Sequence, residues 1–134
     1  MNRLGVESII LAATLAEVRR TLGGESEAFV KAVGVRIGAA CIAPVSDDLA
    51  TVQAWMSEIW ATLDLGEARL SAEGRNLRII HQLPAASLER RQWSDMVPGV
   101  VEGIYSDWMT RLDGRGRLSR VQGGGDRLEF LYAA

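Results

Sequence analysis

Residues 77–112, LRIIHQLPAASLERRQWSDMVPGVVEGIYSDWMTRL, decide the fold of this chain. They predict a buried strand that leaves a hairpin, a polar loop, and one long amphipathic helix near residues 94–112. The apolar residues of this helix recur in steps of three and four, the period of a helix with one buried face: Val97, Val101, Ile104, Trp108 and Leu112. Gly99 and Gly103 lie four apart on a neighbouring face, where the missing side chains allow another backbone to approach. The pattern indicates packing and carries no nucleophile or metal cluster.

Three helices are predicted before this stretch, near residues 5–22, 26–41 and 47–64. The pair Gly23-Gly24 ends the first, as glycine commonly does after a helix. The second also carries two glycines four apart, Gly34 and Gly38. Ser46 is the predicted cap of the third, with acidic residues in its first turn. The predicted apolar stripe of this third helix is Leu49, Val52, Met56, Ile59 and Leu63, with Trp55 and Trp60 beside it.

The apolar period changes to two after Gly66 and again after Gly114. These changes predict β-hairpins near residues 67–83 and 117–132, the second turning through Gly123–Gly125. Three helices, a hairpin, a long helix and a final hairpin indicate an α+β domain with an antiparallel sheet. A length of 134 residues fits one domain, 1–134.

Charge and composition exclude several function classes. The formal charge of −2 argues against nucleic-acid binding. The apolar stretches are too short for membrane insertion, and no signal peptide is evident, so we expect a cytoplasmic protein. Cys41 is the single cysteine, so no disulfide forms within the chain.

The candidate chemical groups predict no enzyme. His81, the only histidine, lies on a predicted strand among apolar residues and is expected to be a core or interface histidine bonded to a neighbour. Cys41 lies between apolar neighbours and is expected to act as a small buried hydrophobe. No second histidine or cysteine stands at metal-ligand spacing, so neither a metal nor a cofactor is expected. The spacing of Asp95, Glu102 and Asp107 does not bring two carboxylates together for glycoside cleavage.

The apolar content exceeds what a small monomer needs, and this predicts a homo-oligomer. Four tryptophans accompany the paired glycines, and large aromatic residues are typical of stable interfaces. The alternative is that the glycines serve close packing inside one chain. The residues expected at the interface are Ile9, Ile10, Gly99, Gly103, Tyr105 and Trp108.

The central block resembles the D subunit of bacterial cellulose synthase. The resemblance rests on Arg78-Ile79-Ile80-His81, Leu83-Pro84, Trp93, Pro98-Gly-Val-Val-Glu-Gly-Ile-Tyr105 and Trp108. The segment from His81 to Pro84 is one residue tighter than in that family, and both termini are shorter.

This resemblance implies a non-catalytic accessory protein of the synthase. It would form a homo-oligomeric ring or scaffold, an octamer built as a tetramer of dimers, that organises glucan export and crystalline cellulose assembly. Its partners would be the other proteins of the synthase complex and β-1,4-glucan chains. In the family the N-terminus is the part proposed to touch glucan, which here means Met1, Asn2, Arg3, Leu4 and Gly5. Whether glucan passes through the assembly, or the assembly is only a scaffold, stays open.

A small-molecule binding module of the four-vinyl-reductase type is the alternative. Its order of elements is the same, and Glu102-Gly103 followed by the hairpin at Asp126 fits it loosely. This alternative predicts an apolar pocket and cysteines near the last hairpin, and the sequence has no cysteine there.

Overall fold

The structure is a computed structural model that describes residues 6–41, 43–44, 48–84, 91–124 and 126–133. The side chains of residues 6–9, 11, 12, 15, 91–95 and 122–124 fall outside the description as well. The predicted glucan-contacting residues, Met1 to Gly5, therefore lie outside the described residues, as does the side chain of Ile9.

The elements follow the predicted order, and the α+β fold is confirmed. The helices are α1 (Val6–Leu22), α2 (Ser26–Ala39), α3 (Leu49–Leu63) and α4 (Arg91–Leu112), with a short 3₁₀ turn at Gly23–Glu25. The strands are β1 (Glu67–Glu73), β2 (Asn76–Gln82), β3 (Arg117–Gly124) and β4 (Arg127–Ala133). They form one antiparallel sheet in the order β1-β2-β4-β3.

Helix α2 ends at Ala39, two residues before the predicted end, and helices α3 and α4 begin at other residues than predicted. Helix α3 begins at Leu49 and is capped by Asp48, whose carboxylate accepts a hydrogen bond from the Thr51 backbone N–H at 3.1 Å. The predicted cap at Ser46 was therefore wrong, because a helix that begins at Leu49 needs its side-chain acceptor one residue earlier. Helix α4 begins at Arg91, about one turn before the predicted start, and it includes Pro98.

The core lies between the helices and one face of the sheet. Inward side chains of the two central strands alternate along each strand, as expected for a sheet buried on one face. The largest fully buried side chains are Trp60, Trp108, Tyr105, Phe130, Met56, Ile79, Ile104 and His81. They come from α3, α4, β2 and β4, so the two hairpins and the long helix share one core.

Candidate functional site

His81 lies fully buried at the centre of the core, and both of its ring nitrogens have partners. Its Nε2 lies 2.8 Å from the Leu65 carbonyl oxygen, and its Nδ1 lies 2.7 Å from the Tyr105 hydroxyl. Because a carbonyl only accepts, Nε2 carries the proton and donates it to Leu65. Nδ1 then accepts from Tyr105. This neutral tautomer satisfies every polar atom of the ring, and the prediction of a core histidine bonded to a neighbour is confirmed.

The surroundings of this pair keep both groups neutral. Burial lowers the pKa of His81 to about 4, although the bond to the Leu65 carbonyl favours the charged form. Burial also raises the pKa of Tyr105 well above its ordinary value. At neutral pH neither group titrates, so the pair orders the core and does not transfer protons.

Aromatic rings surround this pair. Trp60 packs edge-on to His81 with ring centroids 4.5 Å apart, and lies 5.2 Å from Tyr105 and from Trp108. Trp55 lies 4.8 Å from Trp108 on the other side. The Trp108 indole N–H donates to the Gly38 carbonyl oxygen at 3.3 Å, which ties this cluster to the end of α2. Trp60 and Trp108 therefore fill the interior of one chain, and the partly buried Trp55 packs against them. The side chain of the fourth tryptophan, Trp93, falls outside the description.

The paired glycines bring α2 and α4 into backbone contact. A Cβ added at Gly103 would lie 2.0 Å from the Lys31 carbonyl oxygen, and one added at Gly34 would lie 2.1 Å from that of Val100. A Cβ at Gly99 would meet the Val30 side chain at 2.7 Å. Gly34 and Gly103 face each other within the same chain, whereas Gly99 meets Val30 and Gly38 meets Asp107.

These contacts place four of the expected interface residues inside their own chain. Gly99, Gly103, Tyr105 and Trp108 are all buried against their own chain. The sequence signal was a pair of glycines four apart on each of two helices. It showed that a close approach occurs, but not that the two helices carrying these glycines pack against each other. We assign these four residues to the core.

Apolar surface remains exposed on α1 and α2. Ile10 on α1 is 60% exposed and Phe29 on α2 is 44% exposed. A shallow groove of about 550 Å³ lies beside Phe29, between the ends of the two helices. We call this surface the α1–α2 face; it comprises Ile10 and the residues that line the groove, which are Ala13, Thr14, Glu17, Val18, Thr21, Leu22 and Phe29. Of the expected interface residues, only Ile10 is shown with its side chain exposed.

A second depression separates α3 from the first hairpin. This cleft has a volume of about 740 Å³. Its lining mixes polar and apolar residues, including Gln53, Trp60, Gly66, Glu67 and Gln82. The Gln53 side chain also accepts a hydrogen bond from the Leu70 backbone N–H at 2.8 Å, so it ties α3 to the outer edge of β1. Nothing in the sequence around Gln53 distinguishes it from a surface glutamine.

The carboxylates of α4 are bound by basic side chains. Glu102 lies 3.2 Å from Lys31 of α2 and 2.9 Å from Arg120 of β3, so it joins three elements. Asp107 pairs with Arg111 at 2.9 Å. The side chain of Asp95 is not described. Across the described part of the chain, no three histidine, cysteine, aspartate or glutamate side chains gather where they could hold a metal ion.

Cys41 follows α2 and is partly buried. Its Sγ lies 3.5 Å from the Ile37 carbonyl oxygen. Burial raises the pKa of its thiol, and the nearby Arg111 opposes this effect. The thiol is therefore less reactive than an ordinary cysteine, in keeping with the expected packing role. None of the helices in the described ranges is long and apolar enough to span a bilayer.

Comparisons with known proteins identify one family and one shared fold. The family model for the D subunit of cellulose synthase matches residues 8–131. No curated protein sequence matches the chain. Among solved structures, one described as probing the function of heme distortion in the H-NOX family superposes with a TM-score of 0.60 at 13% identity, covering 99% of this chain and 73% of that one.

A second solved structure, described as modulating heme redox potential through protein-induced porphyrin distortion, gives a TM-score of 0.58 at 12% identity. It covers 100% of this chain and 78% of that one. At such low identity these two likenesses show a common fold only.

Proposed function

Because the chain belongs to the family of cellulose synthase D subunits, we propose that it is a non-catalytic accessory protein of a bacterial cellulose synthase complex and that it acts as a homo-oligomeric scaffold. In this role it organises glucan export and the assembly of crystalline cellulose, together with the other proteins of the complex. Among the described residues, the polar side chains of the core hold the fold together, as His81 does through Leu65 and Tyr105. A structural role suits such a protein.

The observation that carries the scaffold proposal is the exposure of the α1–α2 face. Burying one large apolar side chain contributes about 1.5–3 kcal/mol. Covering Ile10 and Phe29 with a second copy would therefore stabilise the assembly. Closed symmetry covers such surfaces without open-ended growth, and we propose an octamer built as a tetramer of dimers. The cytoplasm is the proposed compartment.

The mass of the protein in solution tests this proposal. Light scattering should give a wild-type mass of eight times the 14.6 kDa of one chain. Phe29→Asp places a charge in the proposed interface and should reduce this mass. The matched control is Ala54→Asp, which adds the same charge at an exposed position of α3, and should leave the mass unchanged. A wild-type mass of 14.6 kDa would contradict the scaffold.

We also propose that Met1 to Gly5 contact β-1,4-glucan. This rests on family membership, since the segment lies outside the described residues. Deleting residues 2–5 should alter the yield or crystallinity of cellulose while circular dichroism shows an unchanged fold. Unaltered cellulose from a strain producing the deleted protein would remove the segment from glucan handling.

The alternative of a small-molecule binding module has one observation in its favour. Trp60 lines the cleft beside α3, together with the apolar residues Ala61, Ala68 and Leu83. The shared fold suggests haem as a probe, but the residues do not fit it, because the only histidine already uses both ring nitrogens. We therefore expect titration with hemin to give no saturable Soret band. A stoichiometric complex would favour the alternative.

A further inference from the structure

The two edges of the sheet are not equivalent. The outer edge of β1 is covered by α3, and Gln53 satisfies the outward backbone N–H of Leu70 at 2.8 Å. The other edge is β3, eight residues from Arg117 to Gly124. In the described ranges, no residue forms a hydrogen bond to the outer backbone groups of β3. An uncovered edge strand can pair with an additional strand.

The register shows which groups of β3 are available. The Leu83 N–H donates to the Asp126 carbonyl oxygen at 2.7 Å, which directs the Asp126 carbonyl towards β2. Because backbone groups alternate along a strand, Leu131 and Ala133 direct theirs towards β3. Their partners are Ser119 and Arg117.

The residues between those partners must point the other way. The N–H and C=O groups of Leu118 and Arg120 therefore face outward. The register shifts between Arg120 and Gln122, so the regular part of this edge is short. A bulge of this kind limits pairing to a brief segment and prevents open-ended aggregation.

The charge along this edge is one-sided. Residues 114–124 contain Arg115, Arg117 and Arg120 and no acidic residue, although the whole chain carries −2. The carboxylate of the preceding residue, Asp113, accepts hydrogen bonds from the Arg115 backbone N–H at 3.2 Å and from the Tyr132 hydroxyl at 2.7 Å. Arg120 bonds to Glu102 on the helix side of the sheet at 2.9 Å. Arg117 is exposed and has no ion pair with any described residue. Pairing β3 with the β3 of a second copy would bring these arginines together, which is unfavourable.

We propose that the β3 edge binds a short, extended, acidic segment of another polypeptide, which adds to the sheet as a fifth strand. Main-chain hydrogen bonds to Leu118 and Arg120 supply the pairing, and Arg115 and Arg117 select acidic side chains. The site shares no residue with the α1–α2 face, so its use does not depend on the scaffold function. It gives the protein a surface for a second kind of partner.

The probe is a blocked eight-residue peptide that alternates glutamate and valine, titrated at low ionic strength by fluorescence anisotropy. The control peptide has lysine in place of glutamate and should bind at least about tenfold more weakly. On saturation with the acidic peptide, hydrogen exchange should slow at the amides of Leu118 and Arg120. Purely electrostatic attraction would not protect these amides from exchange. Binding of the peptide without such protection would therefore overturn strand addition.

Two pairs of variants separate charge from backbone pairing. Arg117→Glu should weaken binding of the acidic peptide about tenfold, because it replaces an attraction with a repulsion. Arg75→Glu makes the same charge change in the exposed β1–β2 turn and should have little effect. Arg120→Pro removes an outward N–H, whereas Arg120→Ala loses the same side chain and keeps that N–H. Only the proline variant should abolish protection at the edge, and circular dichroism checks that both are folded.

Three results would refute the proposal. One is equal binding of the acidic and the basic peptide. Another is equal weakening by Arg117→Glu and Arg75→Glu. The third is a lower molar mass of the protein itself with Arg120→Pro but not with Arg120→Ala, because this would assign the edge to a second copy of the chain. None of these results bears on the mass change expected from Phe29→Asp, so the two proposals fail separately.

Discussion

Gly103→Ala should destabilise the protein, because the added methyl group has no space between α2 and α4. Its Cβ would lie 2.0 Å from the Lys31 carbonyl oxygen and 2.9 Å from the Val35 backbone nitrogen. Both atoms belong to the backbone of α2, so the helices must separate by about 1 Å to reach ordinary contact distances. Overpacking of this kind costs about 3 kcal/mol, at the upper end of the usual range. In a chain of this size that corresponds to a fall of about 10 °C in Tm.

The sign of the change makes this test decisive. In a helix without such a contact, replacing glycine by alanine stabilises by about 0.5–1 kcal/mol. Gly24→Ala is the matched control, because a Cβ at Gly24 would meet nothing within 4 Å. The free energies of unfolding of the two variants, measured by thermal and urea denaturation, should differ by several kcal/mol. If Gly103→Ala melts at or above the wild-type temperature, the close packing of α2 on α4 is refuted.

Three further predictions concern the buried polar groups and the thiol. Stability should fall as pH drops from about 6.5 to about 4, because the unfolded chain protonates His81 near pH 6.5 and the folded one only near pH 4. The loss is at most about 3 kcal/mol, and urea midpoints that stay constant across this window would contradict it. Tyr105→Phe should cost about 1–3 kcal/mol in urea unfolding, since Nδ1 of His81 loses its donor; an unchanged midpoint would count against the bond. At pH 8 Cys41 should react with iodoacetamide more slowly in the folded protein than in guanidinium, because burial raises its pKa; equal rates would disprove this.

Period changes in the sequence predicted the order of elements because local patterning determines where helices and strands begin and end. The deeper packing was not predictable in this way. The sequence placed Trp60 beside the stripe of α3, whereas the structure buries it completely. Helix α3 is apolar on more than one side, and only its contacts with His81 and Tyr105 decide which side is deepest. The partners of His81 are 16 and 24 residues away along the chain, a distance that periodicity does not reach.

Part of the apolar content of the sequence lies in the interior and part on the surface. This distribution places the proposed interface on α1 and α2 and not on α4. The aromatic residues and glycines of α4 are used within one chain, and the large apolar side chains left exposed in the described part are Ile10, Phe29, Val35 and Val121. Two of these lie on the α1–α2 face. Any assembly that covers apolar surface is therefore expected to be built by the first two helices, with α4 inside each protomer.

This division predicts opposite outcomes for two variants. Gly103→Ala should lower Tm by the same amount at every protein concentration, because it disturbs packing within one chain. Phe29→Asp should lower the molar mass and make Tm depend less on concentration, because it removes a contribution of association to stability. Light scattering and thermal melts at two concentrations about a hundredfold apart distinguish the variants. If Gly103→Ala lowers the molar mass at a temperature where the variant is folded, α4 belongs to the interface. The assignment of Gly103 to the core would then be wrong.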